Sequence, residues 1–219
     1  MLQNDPFWIK VKRCFFFLVY RGGHGIHSPL GFWLSTRVLQ DRRACFYGEE
    51  ELLNWAQQTP QKNYFISQIK LFQLAFRLYH SLSIDRLYYV GKDQSSLLLL
   101  QHFLPTIKPI TASSEWVREK ESSEITDKST RHYSSLLVID LDNHSASDLD
   151  TIFSALTASK KNPSIILIME NKRTKREAYR LYKKITLQEG WGMGFDLGVG
   201  FLFLGHPKLQ TTTYKQWLR

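Results

Sequence analysis

Three short apolar segments, separated by helical stretches, constrain the fold of this chain more than any other feature. Residues 86–90, 135–140 and 164–169 are rich in aliphatic and aromatic side chains, and the second segment ends in Asp140. Apolar strands that alternate with helices are typical of parallel β-α-β units, in which helices cover both faces of the sheet. The sequence therefore predicts an α/β domain with a mainly parallel sheet.

The spacing of apolar residues predicts the helices that accompany these strands. Ser28 and Pro29 indicate a helix start, because a serine hydroxyl caps free backbone amides and proline suits the first turn. Helices are predicted at 29–39, 49–57, 66–80, 97–104, 146–158 and 174–189. The remaining predicted elements are a second strand at 109–112 and a closing pair of strands at 193–197 and 200–204.

A chain of 219 residues is long enough for one domain with an extension. At this size a single domain buries roughly 70% of the surface that its unfolded chain exposes. Hydrophobic residues make up 43% and charged residues 22%, a balance that argues against a wholly disordered chain. The elements divide the chain into an N-terminal helical extension, residues 1–62, and an α/β domain, residues 63–219.

Cysteine spacing and hydropathy bear on the location of the protein. Cys14 and Cys45 lie in no metal-binding or disulfide spacing, which fits a reducing compartment. The longest apolar run, 14–20, is far shorter than the ~20 residues that span a bilayer, and a glycine loop follows it instead of a cleavage site. We therefore expect a cytoplasmic protein without a membrane span. Residues 7–20 fit either a helix docked on the domain or a helix at an anionic lipid surface.

The net charge of +9 favours acidic partners. Residues 172–184 hold seven of the cations, so we expect the charged side of the helix at 174–189 to lie in solvent. This stretch is either a nucleic-acid-binding face or a solvated helix face. Its two aromatic residues, Tyr179 and Tyr182, are both candidates for the core, which would leave little aromatic surface for a nucleic acid.

A glycine and several polar residues follow the predicted strands at their carboxyl ends. Open α/β sheets bind ligands at that edge, near the point where the strand order reverses. The candidate segments are 91–95, 113–115 and 140–144, together with Glu170. A lone glycine after a strand is a weak signal for a nucleotide. The pattern therefore predicts where a site lies and leaves its ligand open.

Residues 24–29 read His-Gly-Ile-His-Ser-Pro, a box that precedes the predicted helix at 29–39. The chain resembles a family of small bacterial class I S-adenosylmethionine-dependent methyltransferases that are similar to O-methyltransferases. The resemblance extends over residues 9–217 and is carried by 71–91, 138–144, 165–182 and 195–203. It implies a Rossmann-like methyltransferase fold and methyl transfer to an oxygen or nitrogen of an unidentified substrate.

The same resemblance implies S-adenosylmethionine as cofactor, with contacts from Gly91, Ser95, Ser113 and Glu115. The first loop of the family has the form E-x-G-x-x-x-G, whereas this chain has Tyr89 at the acidic position and Ser95 at the second glycine. A side chain at Ser95 would crowd the cofactor if that backbone needs a positive φ. Ser113 replaces the ribose-binding acid, and Glu115 lies two residues on. Because a charge-assisted hydrogen bond contributes about 1.5–3 kcal/mol, we expect binding weaker than about 100 μM.

Asp140 and His144 are the candidate catalytic residues. His144 suits a general base that draws a proton from a substrate hydroxyl near neutral pH. Alternatively, Asp142 caps the helix predicted at 146–158, and His144 packs beside it. The sequence leaves both interpretations open.

No metal is predicted, because the oxygen ligands that could converge on a hard cation are few: Asp140, Asp142 and Glu170. His24 and His27 either hold the glycine loop by hydrogen bonds or bind a ligand. Two functional hypotheses remain. The chain is an active methyltransferase, or it is a non-catalytic relative that binds a partner or nucleic acid through its basic surface.

Overall fold

The computed structural model describes residues 29–39, 54, 58, 62–84, 86–92, 94–104, 107–109, 135–141, 148, 150–152, 154, 164–169, 174–187, 192–206, 209 and 211–216, to which all structural statements below refer. These residues form one seven-stranded sheet. Its strands are β1 (Arg86–Val90), β2 (Ile107–Pro109), β3 (Ser135–Asp140), β4 (Ser164–Met169), β5 (Gly192–Asp196), β6 (Gly200–Gly205) and β7 (Thr212–Lys215). The helices are α1 (Pro29–Leu34), α2 (Lys62–Ser81), α3 (Gln94–Phe103) and α4 (Lys175–Thr186).

The strands lie in the order β2-β1-β3-β4-β6-β5-β7. Every neighbouring pair is parallel except those of β6, which runs antiparallel to β4 and to β5. The chain moves outward from β1 to β2 and then crosses to the other side of β1 for β3. The strand order therefore reverses between β1 and β3, which is the place where open α/β sheets bind ligands.

A hydrophobic core lies on each face of the sheet, because successive side chains of a strand point to opposite faces. On one face Leu87 and Tyr89 of β1 pack with Leu136 and Val138 of β3, together with residues of α1, α2 and α3. The alternate residues of the same strands pack with α4 on the other face. Since β3 and β4 are buried along their whole length, their sequences are continuous apolar runs. The predicted α/β architecture with helices on both faces is confirmed.

The three predicted central strands are confirmed at both ends by β1, β3 and β4. The closing pair is also confirmed, since β5 and β6 are antiparallel neighbours. Their connection is tight: the amide of Leu197 donates to the carbonyl of Gly200 at 3.0 Å, and Gly198 has a φ of 74°, a conformation that favours glycine. The edge strand β7 was not predicted.

The start predicted for the second strand is wrong, because β2 begins at Ile107 rather than at residue 109, and residues 110–112 lie outside the described residues. The chain enters this strand soon after helix α3, and the amide of Ile107 donates to the carbonyl of Leu104 at 2.9 Å. Ile107 is buried and pairs with Leu87 of β1. Burial of this isoleucine sets the register, and the proline is the third residue of the strand rather than its first.

Most predicted helices are confirmed with shifted ends. The helix at 29–39 exists, but its last five residues, Ser35–Leu39, are π-helical. The hydroxyl of Thr36 donates to the carbonyl of Phe32 at 2.8 Å, a local bond that competes with the backbone ladder. The helices predicted at 66–80, 97–104 and 174–189 correspond to α2, α3 and α4.

Part of the predicted helix at 146–158 is described, and residues 148, 150–152 and 154 of it are helical. The segment 7–20, the box up to Ser28 and, apart from helical Asn54, the helix at 49–57 lie outside the described residues. Among the helices that the structure describes, none is both long enough and apolar enough to cross a bilayer. The division into an extension and a domain stays a prediction.

Candidate functional site

The reversal of strand order brings Gly91 and Asp140 side by side. Gly91 follows the last residue of β1, and Asp140 is the last residue of β3. The two strands are parallel, and Val90 pairs with Ile139, so the next residue of each strand lies at the same level of the carboxyl edge. Two of the sequence candidates therefore meet at the expected position.

A buried hydrogen bond joins these strands at that edge. The hydroxyl of Tyr89 donates to Oδ2 of Asp140 at 3.2 Å, and each residue is 1% exposed. A carboxylate out of water is costly unless it is paired or hydrogen-bonded. The Tyr89 phenol therefore supplies part of the stabilisation that Asp140 needs at this depth.

The same phenol fills the space beside Gly91. A Cβ atom built on Gly91 would lie 2.5 Å from Cζ of Tyr89 and closer still to its hydroxyl oxygen, distances that real Cβ atoms do not show. Gly91 also lies outside the positive-φ glycines that the structure records. The absence of a side chain at Gly91 thus makes room for Tyr89, and backbone conformation is not the reason for this glycine.

Ser95 lies in the first turn of α3. The backbone there is helical, a conformation that any residue adopts without strain. Ser95 therefore lacks the positive φ that would make a serine unfavourable at this position. Ser113, Glu115, Asp142, His144 and Glu170 lie outside the described residues, and so do His24 and His27.

One ion pair at this edge was not foreseen. Nζ of Lys92, just after β1, lies 3.1 Å from Oδ2 of Asp148, which follows β3 in the chain. Both side chains are well exposed, so the pair contributes about 0–1 kcal/mol to stability. Its consequence is geometric, because it connects the segments that follow β1 and β3 across the strand reversal.

No cluster of three or more His, Cys, Asp or Glu side chains within the described ranges could hold a metal ion. Two of the oxygen ligands considered from the sequence, Asp142 and Glu170, lie outside those ranges. The third, Asp140, already accepts the hydrogen bond from Tyr89.

Helix α4 presents a second surface of interest, on the opposite face of the sheet from Tyr89. Its buried side, which packs against the sheet, consists of Ala178, Leu181, Tyr182, Ile185 and Thr186. Its charged side lies in solvent, as predicted for this helix. Tyr179 and Tyr182 were both candidates for the core. Tyr182 is buried, whereas Tyr179 is 46% exposed.

The buried Tyr182 differs from Tyr89 in its polar surroundings. Its ring stacks on Phe201 with centroids 4.5 Å apart, and its hydroxyl finds no hydrogen-bond partner among the described residues. Burial, with smaller contributions from Asp196 and Tyr179, raises the pKa of Tyr182 well above its ordinary value. This phenol is held by packing, whereas the Tyr89 phenol also forms a polar contact.

No family model matches the chain, and no curated protein matches it. One solved structure with a detectable likeness is that of a protein from Thermobifida fusca, described as a candidate methyltransferase. The identity is 15% and the TM-score 0.28, over 64% of this chain and 66% of that chain, slightly less than two thirds of its length. A likeness at this level carries no argument about function.

Proposed function

We propose that this chain is a methyltransferase-type α/β protein in which S-adenosylmethionine binding is impaired. The strand order supports the first half of the proposal, because it reverses beside Gly91 and Asp140, at the edge where doubly wound sheets bind their ligands. Residues 200–203 of the antiparallel strand β6 also belong to the segment 195–203, one of the segments through which the sequence resembles the methyltransferase family.

The observation that carries the second half is the position of the Tyr89 side chain. A nucleoside cofactor would need close approach to the backbone after β1, and the phenol takes up the space beside Gly91. The described residues therefore do not fit the cofactor while Tyr89 is hydrogen-bonded to Asp140. Binding would require the phenol to leave a buried position and to give up that bond, which lowers the affinity further than the lost ribose-binding acid alone.

Under this proposal the first role of Asp140 is structural, and a catalytic role requires Tyr89 to move. Its carboxylate is 1% exposed and accepts a hydrogen bond from Tyr89, so a substrate reaches it only after Tyr89 has moved. His144 stays the proposed general base for an oxygen or nitrogen acceptor. Gly91, Ser95, Ser113 and Glu115 stay the proposed cofactor contacts.

The second candidate is a non-catalytic relative that binds a partner through its basic surface. The position of the Tyr89 side chain favours this candidate, because the phenol occupies the space beside Gly91 that a ligand would need. The charged side of α4 supplies a surface for such a partner.

Calorimetric titration with S-adenosylmethionine and S-adenosylhomocysteine tests both candidates. We expect the wild type to bind more weakly than about 100 μM. Tyr89→Leu removes the end of the ring while keeping an apolar side chain, and we expect it to bind at least about tenfold more tightly. Tyr89→Phe is the matched control, because its ring still fills the space beside Gly91 and should leave the affinity low.

Each outcome distinguishes the candidates. Micromolar binding by the wild type would contradict the impairment. Tighter binding by Tyr89→Leu alone would support a methyltransferase site closed by Tyr89. If no variant binds while circular dichroism shows each to be folded, the non-catalytic candidate is favoured.

A further inference from the structure

The outward side of α4 carries a line of cations with an aromatic residue among them. Arg176, Tyr179, Arg180 and Lys183 are all exposed. Arg176 and Arg180 are four residues apart, as are Tyr179 and Lys183, so the four residues share one side of the helix. We call these four residues the basic-aromatic stripe. From Arg176 to Lys183 it extends about 10 Å along the helix axis.

The cations of the stripe are not neutralised within the described part of the chain. Arg176, Arg180 and Lys183 take part in no ion pair with a described residue. Their neighbour Lys184 behaves differently, since its Nζ lies 2.6 Å from Oδ1 of Asp150. Three cations on one helix without an ion-pair partner among the described residues, in a chain of net charge +9, favour a ligand with several negative charges.

Tyr179 packs near a buried aromatic ring and is partly exposed. Its ring lies 6.1 Å from that of Phe201 at an angle of 49°, and Phe201 itself stacks on Tyr182. Nζ of Lys183 lies 5.6 Å from the centre of the Tyr179 ring. The residue is nevertheless 46% exposed, so part of the Tyr179 side chain is accessible to a ligand beside the cations.

We propose that the basic-aromatic stripe binds single-stranded nucleic acid, with a base stacked on Tyr179 and phosphates against Arg176, Arg180 and Lys183. Proteins that bind single strands combine cations that follow the backbone with aromatic rings on which bases stack. The length of the stripe corresponds to about three stacked nucleotides. An interfacial membrane helix would instead present a broad apolar side to the lipid, whereas the centre of this stripe is a phenol between guanidinium groups.

The proposal is independent of the carboxyl edge, because the stripe and Tyr89 belong to opposite faces of the sheet. The result of a nucleic-acid-binding experiment is therefore independent of whether the chain binds S-adenosylmethionine. The proposal also gives the basic surface of the non-catalytic candidate a defined partner class.

Fluorescence anisotropy with the full chain and a labelled single-stranded RNA of about 12 nucleotides tests the proposal. We expect binding at about 50 mM salt that weakens about 20-fold at about 200 mM, because three phosphate contacts release counterions from a single strand. Tyr179→Ala should weaken binding about tenfold through the loss of base stacking. Tyr179→Phe keeps the ring and should bind as the wild type does.

Two adjacent lysines provide the matched control for charge. Lys183→Gln removes an unpaired cation and should lower the salt slope by about 0.7. Lys184→Gln removes a cation already paired with Asp150 and should change the affinity less than about twofold. Circular dichroism checks that each variant is folded, and Arg180→Gln, which leaves the Tyr179 ring in place, repeats the test of charge at a second position.

Several results would overturn the proposal. They are absence of binding at low salt, binding that does not depend on salt, and equal affinity of the wild type, Tyr179→Ala and Lys183→Gln. A duplex of the same sequence that binds as tightly as the single strand would also overturn it. So would binding to vesicles of phosphatidylserine and phosphatidylcholine without binding to the RNA.

Discussion

The two surfaces that carry the functional hypotheses differ in what their polar groups contact. At the carboxyl edge the polar atoms of Tyr89 and Asp140 are out of water and bonded to each other. On α4 the cations of the basic-aromatic stripe are in water and have no ion-pair partner among the described residues. In the described part of the carboxyl edge the Tyr89 side chain fills the space beside Gly91, whereas the basic-aromatic stripe is exposed. Substitutions at the edge should therefore affect stability, and those on the stripe should affect binding.

The largest expected effect is that of Gly91→Ala. The added methyl group would overlap the Tyr89 phenol, so the ring must move and its bond to Asp140 must lengthen or break. Overpacking of a buried site typically costs 1–3 kcal/mol, and we expect the free energy of unfolding to fall by about 3 kcal/mol in a urea titration.

Tyr89→Leu is the background that isolates this contact. Because leucine lacks the end of the ring, Gly91→Ala should cost less than about 1 kcal/mol there, a coupling that a double-mutant cycle measures. An equal cost in both backgrounds would show that the space beside Gly91 is not filled by Tyr89, and the proposed closure of the edge would lose its support.

A smaller effect is expected from removing the hydroxyl group of Tyr89 or of Tyr182, both of which are buried. Tyr89→Phe removes one hydrogen-bond donor to the buried carboxylate of Asp140, and we expect the free energy of unfolding to fall by about 2 kcal/mol. Tyr182→Phe removes a hydroxyl that has no hydrogen-bond partner among the described residues, so it should change stability by less than about 0.5 kcal/mol or increase it.

Chemical denaturation of the two variants beside the wild type measures the difference. If both phenylalanine variants are equally stable, the bond between Tyr89 and Asp140 contributes nothing to stability, and the contrast between the two tyrosines is wrong.

The smallest effects on stability are expected on the basic-aromatic stripe. Arg180→Gln and Lys183→Gln should each change the midpoint of thermal unfolding by no more than about 1–2 °C, because exposed side chains without partners add little to stability. Lys184→Gln loses the exposed ion pair with Asp150 and should cost about 0.5 kcal/mol at low salt and less at high salt. A loss above about 1 kcal/mol for Lys183→Gln would show that the stripe is structural.

Much of the sheet could be predicted because its signal is local. The strands β1, β3 and β4 are short apolar runs with polar residues at their ends, and burial on both faces requires that composition. The outward side of α4 could likewise be predicted from the spacing of its charges. Tyr179 and Tyr182 could also have been told apart, since Tyr182 shares the helical spacing of the buried Ala178 and Ile185, whereas Tyr179 does not.

The remaining features depend on contacts between distant segments. The start of β2 follows from the pairing of Ile107 with Leu87, and the sequence near 109–112 carries no sign of that register. The edge strand β7 pairs in parallel with β5, and its four residues show no apolar run.

Sequence alone determined the α/β architecture, the two-sided core and the solvent-facing charge of α4, because hydrophobic periodicity and charge spacing act over a few residues. It also placed Gly91 and Asp140 at the carboxyl ends of their strands. Tertiary structure alone decided that the Tyr89 phenol occupies the space beside Gly91 and bonds to a carboxylate 51 residues away. The physical reason is that the register of β1 against β3 and the direction of one side chain set this contact, and neither leaves a trace in the local pattern of residues.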